Sequence, residues 1–225
     1  MVVPMTTNCR SSQSRARLAL TALASSALLA AAGALAPALV TPANAAASPQ
    51  PGEHRVVHRD PRHDVLRFDI ETEASRPAPR DRASDIVKTV VDHQAEQLVV
   101  HTRVRQLSRS GYRLMIAEIL ASDGRRYQLT VDYAAKPIGA RVSLARFASS
   151  AEVSCPGATW SIDRSADRID ASVPTSCLGD PKWVRVGIAV IAAPHDLKTS
   201  LGDDSRTQGR LADEHLRLGP RQPRA

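Results

Sequence analysis

Between residues 65 and 190, apolar side chains return at every second position in runs too short for helices. Leu98, Val100, Thr102 and Val104 alternate with Val99, His101, Arg103 and Arg105. Tyr127, Leu129, Val131 and Tyr133 alternate with Gln128, Thr130 and Asp132, and Ile169, Ala171 and Val173 with Asp170 and Ser172. A period of two sends successive side chains to opposite faces of an extended strand, one toward a core and one toward water. Residues 86–91, 113–120, 142–144, 159–162 and 183–190 also read as strands, and Asp123-Gly124 is a hairpin turn signal. No long amphipathic helix interrupts the series. The pattern predicts an all-β fold, an antiparallel β-sandwich of about eight or nine strands. A closed β-barrel is the competing architecture.

The flanks differ in composition from this centre. Arg10, Arg15 and Arg17 precede an apolar run from Leu18 to Val40, and Ala43-Asn44-Ala45-Ala46-Ala47 offers small-residue cleavage sites. That order is the layout of a secretory signal peptide over residues 1–47. The run is long enough to span a bilayer, which takes about 20 apolar residues. Its Ala content, with Gly33 and Pro37 inside it, favours cleavage over anchoring. The expected product is secreted or associated with the cell surface and keeps no stable membrane span. Residues 48–62, rich in Pro, His and charge, read as a flexible arm, and residues 63–193 as the sandwich domain. Residues 194–225 read as a disordered polar tail, because they offer little apolar surface to bury.

Signal removal takes Cys9 with it and leaves Cys155 and Cys177 in an oxidising compartment. An isolated pair in an exported domain predicts one disulfide. Neither cysteine has a histidine or a further cysteine at metal-ligand spacing.

The chain carries 30 Lys+Arg against 23 Asp+Glu, a net charge of +7. Three of those arginines lie in the signal, so the remainder carries 27 against 23, or +4. Aromatic residues make up only 3% of the chain, which leaves little for bases to stack on and argues against a nucleic-acid partner. An anionic cell envelope remains compatible with the charge.

Three carboxylates form the first candidate site. Asp60 and Asp64 bracket the loop before the first expected central strand, and Asp85 opens the next. Carboxylates on neighbouring loops suit Ca²⁺, which takes six to eight oxygen ligands. The plainer reading is that Asp60-Pro61 forms a turn and that Asp at a strand entrance caps free amides. No other cofactor is implied.

An Asp-rich loop, a strand, a Pro-rich spacer and then Asp85-Ile86 together resemble secreted β-sandwich modules of the family 9 carbohydrate-binding and DOMON-like type. The segment from Cys155 to Cys177, followed by Leu178-Gly179-Asp180-Pro181-Lys182-Trp183, resembles the C-terminal part of secreted actinobacterial proteins. The resemblance covers roughly residues 60–190. It implies a sandwich fold and a glycan ligand. Modules of the first kind more usually carry Gly before the second Asp of the opening loop, where this chain has His63. They hold sugar rings between exposed aromatics, and the tryptophans available here are Trp160 and Trp183. For each, packing in the core is the alternative.

Catalytic signatures are missing. The chain has no G-x-S-x-G elbow, no H-E-x-x-H and no phosphate-binding Gly loop. His54, His58, His63, His93 and His101 are scattered, and no catalytic residue is assigned. The expected function is a secreted, non-catalytic binding or interaction module, with a glycan or cell-envelope polymer as partner. A small secreted hydrolase is the alternative.

Overall fold

A computed structural model describes residues 54–72, 74–107, 111–134, 139–193, 198–211 and 215–225. The expected signal peptide lies outside the described residues. The strands are β1 (Arg55–Arg59), β2 (Leu66–Asp69), β3 (Ser75–Pro77), β4 (Ile86–His93), β5 (Gln97–Val104), β6 (Tyr112–Ala121) and β7 (Arg126–Ala134). They continue with β8 (Gly139–Arg146), β9 (Thr159–Asp163), β10 (Arg168–Pro174), β11 (Trp183–Ala193), β12 (Thr199–Asp204) and β13 (Gln222–Pro223). A short 3-10 turn, Thr175–Leu178, follows β10. The five-stranded sheet has the order β1-β4-β5-β10-β9, and the larger sheet β3-β2-β12-β11-β6-β7-β8. Every pairing within them is antiparallel.

The period-2 pattern decides which side chains meet. Leu98, Val100 and Val104 of β5 and Ile169, Ala171 and Val173 of β10 face Met115, Ala117 and Ile119 of β6 and Val184, Val186 and Ile188 of β11 in one buried cluster. Two sheets sharing one apolar interior form a sandwich. Asp123 and Gly124 close the β6–β7 hairpin, with Gly124 in the left-handed region at φ 85°. Cys155 and Cys177 form the expected disulfide, packed against the core edge. Among the described residues no helix is long and apolar enough to cross a membrane.

Both flanks depart from expectation. Within the arm, residues 55–59 are not free: they form edge strand β1, laddered to β4 from Arg55↔Asp92 to Arg59↔Lys88. The described part of the tail is ordered into the sandwich. β12 lies between β2 and β11, and β13 pairs with β11. With β3 in the Pro-rich spacer, the described residues form 13 strands, where about eight or nine were expected. The reason is physical. These segments dock through backbone ladders and buried polar groups, including Asp203, Asp204, Ser205 and Gln222, and not through apolar periodicity.

Residues 215–220 also pass across the outer side of the larger sheet. Gly187 of β11 permits that passage, since a Cβ there would stand 2.8 Å from Leu216 Cβ and 3.0 Å from the Arg217 carbonyl oxygen. A strand covered on both sides explains why the β11 sequence is apolar almost throughout.

Candidate metal centre

One end of the sandwich gathers five aspartates from both sheets. Asp60 follows β1, and its amide donates to the Val87 carbonyl at 3.3 Å. Asp64 lies in the next loop, and Asp85 immediately precedes β4. Asp203 and Asp204 end β12 of the larger sheet. Asp203 Oδ2 accepts the amide of Ile86 at 2.8 Å and so ties the sheets together.

Oxygens of Asp60, Asp64 and Asp203 all lie within 4.8 Å of one another. Asp60 is 9% exposed, Asp203 2%, and Asp85 and Asp204 0%. Buried carboxylate oxygens ordinarily have partners, because desolvating them alone is costly. Here Asp60 Oδ2, both Asp64 oxygens, Asp85 Oδ1 and Asp204 Oδ2 are buried without a hydrogen-bond partner.

The electrostatics follow. Asp60 is pushed up to about 9, first by burial and then by the carboxylates of Asp203, Asp64, Asp204 and Asp85. Asp203 is pushed up to about 8 by burial, with the Ile86 amide opposing and Asp64 and Asp85 reinforcing. Burial also raises Asp64 and Asp204. Two cations stand near. Arg105 holds Asp85 Oδ2 at 2.7 Å, and Arg206 acts on Asp204 and Asp60 through space. Among the described residues five carboxyl groups thus face two guanidiniums and the His63 imidazole, which acts on Asp64, and without a cation Asp60 and Asp203 hold their protons.

The sequence pointed to Asp60, Asp64 and Asp85. The structure brings Asp60 and Asp64 together with Asp203, and it sets Asp85 beside them with one oxygen committed to Arg105. The amide of His63 also donates to Asp85 Oδ2, at 3.0 Å. His63 sits at φ 74°, a conformation that favours glycine, so the sharp turn between Asp60 and Asp64 is made here by a residue that carries a side chain. Asp203 and Asp204 went unread because they fall in a polar stretch assigned to the tail. The only available signal was an adjacent acidic pair directly after Leu201-Gly202.

Such a donor set suits a hard cation. Ca²⁺ binds oxygens at about 2.3–2.6 Å, so ligands on opposite sides of one ion stand about 4.6–5.2 Å apart. Oxygens of the three aspartates stand close enough together to share one such ion.

No protein-family model, curated protein or solved structure matches the chain. Its reading therefore rests on its own geometry.

The two tryptophans lie on different sheets. Trp160 of β9 is paired with Ala171, so its register is that of the core-facing side, yet at the sheet edge it stays 39% exposed. Trp183 begins β11, and its ring lies 4.4 Å from the Arg221 guanidinium. One sugar platform made from both is not present. Ser161, Asp170 and His101 meet on the outer face of the smaller sheet. There Ser161 Oγ donates to Asp170 at 3.1 Å, and His101 Nδ1 bonds the same carboxylate at 2.6 Å. A hydrolytic triad needs the serine on the imidazole, with the carboxylate behind. Both groups bind the carboxylate here.

Proposed function

We propose that the chain is an exported, non-catalytic binding module whose sandwich is closed at one end by Ca²⁺. Asp60, Asp64 and Asp203 are the ligands, and Asp85 and Asp204 supply negative charge around them. The observation that carries this reading is the convergence of the unpartnered Asp60 and Asp64 oxygens with the buried carboxylate of Asp203 within reach of a single ion. The ion would join the end of β1, the following loop and β12, and so support the fold. Burial of the same aspartates argues against their meeting a polymeric substrate, which weakens the hydrolase alternative.

Calorimetry on EDTA-treated, dialysed protein tests the proposal. One Ca²⁺ per chain is expected, with Kd in the range of about 10⁻⁴–10⁻³ M common for extracellular modules. At a Kd near 0.1 mM, about 1–2 mM Ca²⁺ stabilises by about 1–2 kcal/mol. Asp203→Asn keeps an acceptor for the Ile86 amide but loses the charge. It should abolish the calcium effect and raise cation-free stability at pH 8 by about 1–3 kcal/mol. Absence of binding at 10 mM Ca²⁺ would overturn the assignment.

A further inference from the structure

The outer face of the five-stranded sheet carries a row of cations that the fold does not require. The register aligns Arg59 of β1 with Lys88 of β4, Lys88 with Arg103 of β5, and Arg103 with Arg168 of β10. Four positive side chains thus stand side by side on four adjacent strands. At about 4.8 Å per strand the row is about 14 Å long. Like charges directly opposite each other destabilise a sheet. Arg168 is compensated by Asp170 at 2.9 Å and Asp163 at 4.0 Å. Arg59, Lys88 and Arg103 have no carboxylate partner among the described residues.

The surroundings of the row narrow the class of ligand. Arg55, Lys88, Arg103 and Arg168, with His101, line a groove of about 410 Å³. A second, shallower groove of about 220 Å³ continues along the same sheet past Thr159, Ser161, Asp170 and Ser172. Apart from Asp170, the outward positions of β9 and β10 there are hydroxyls, with Thr159 bonded to Ser172 at 2.8 Å. Among the described residues no Trp, Tyr or Phe takes an outward position on this face; Trp160, of the opposite register and 39% exposed, borders the second groove from the sheet edge. A single ring at the edge gives successive bases little to stack on.

We infer that this face binds an acidic polysaccharide, with its anionic groups on the Arg59–Lys88–Arg103–Arg168 row and its sugar hydroxyls on the Thr159, Ser161 and Ser172 strip. Charge complementarity supplies attraction along the row, and the hydroxyls and Asp170 supply directional hydrogen bonds beside it. Asp60 of the aspartate cluster directly follows Arg59, but its side chain is buried rather than on this outer face, and the cluster takes no part.

Affinity electrophoresis with polygalacturonate at low salt, in EDTA, tests this separately from the calcium site. Retardation is expected with polygalacturonate and not with neutral dextran, and it should weaken as salt rises. Lys88→Gln/Arg103→Gln should lower affinity about tenfold or more, roughly the loss of 1.4 kcal/mol. Arg76→Gln/Arg80→Gln, which removes equal charge beside the larger sheet, should change it less than about twofold. Thermal unfolding confirms that both variants are folded. The inference is overturned by no retardation, by equal losses in the two double variants, or by tighter binding of single-stranded DNA than of polygalacturonate.

Discussion

The amide of Leu216 donates to Glu118 Oε2 at 2.9 Å across a sequence separation of 98 residues. Glu118 points to the outer side of β6 yet is only 1% exposed, because residues 215–220 lie over it. Its other oxygen is paired with Arg126 and stands 3.3 Å from His215 Nδ1. A buried carboxylate thus anchors the segment that covers it. Glu118→Ala should destabilise by about 2–3 kcal/mol, through lost hydrogen bonds to a charged group and an amide left unsatisfied. Glu118→Gln, which keeps an acceptor, should cost less than half of that. Urea denaturation reads both, and an alanine variant within 0.5 kcal/mol of the parent would mean that the segment docks by other contacts.

Deleting residues 198–225 should remove cooperative unfolding rather than trim an ornament. β12 is an interior strand of the larger sheet, so its loss leaves the facing edges of β2 and β11 unpaired. Calorimetry of the truncated chain should show a broad transition or none. A sharp transition close to that of the parent would show that the remaining strands suffice.

Proton linkage at the aspartate cluster has a definite sign. Folded and without cation, Asp60 keeps its proton to about pH 9 and Asp203 to about pH 8, against an ordinary value of 3.8. The folded state then binds more protons than the unfolded chain from about pH 4 upward. The stability that this contributes is present at low pH and is lost as pH rises through 8 to 9. Ca²⁺ displaces these protons, so the gain in Tm from Ca²⁺ should be larger at pH 8.5 than at pH 5.5. Calorimetry at pH 7 in buffers of different ionisation enthalpy should detect proton release on binding. A calcium effect independent of pH would contradict this linkage.

The cation row should carry a stability cost. Arg103 lies between Lys88 and Arg168 in register, so Arg103→Gln removes two like-charge neighbours. A gain of about 0.2–1 kcal/mol at low salt is expected, shrinking as salt is added. A loss of stability would mean that the Arg103 aliphatic stem packs against the sheet more than its charge repels.

The central strands were legible because their burial is written in period two: Leu98, Val100 and Val104 show the same alternation in sequence and in the core. The disulfide was legible from cysteine isolation, and the nearness of Asp60 to Asp64 from their positions in one short loop. β12 was not, because its buried residues are Gly202, Asp203 and Asp204, types that read as solvated when neighbours in space are unknown. β1 hid behind alternating charge, since Arg55, Val57 and Arg59 face outward on an edge strand and only Val56 and His58 turn in. The setting of Trp160 depended on whether β9 is an edge, which composition does not encode.

The place of β12 between β2 and β11 also bears on the timing of synthesis. Arg67 of β2 bonds Thr199 of β12 across 132 residues, so their pairing waits for that length of chain to leave the ribosome. At about 5–20 residues per second the delay is roughly 7–26 s. During that interval a nascent chain presents the open side of β2, joined by that of β11 only near the end, and with it an invitation to pair with another chain. A holdase that shields these strands, or secretion of the chain before it folds, would meet that hazard, and slow refolding with concentration-dependent losses is its expected signature in the test tube.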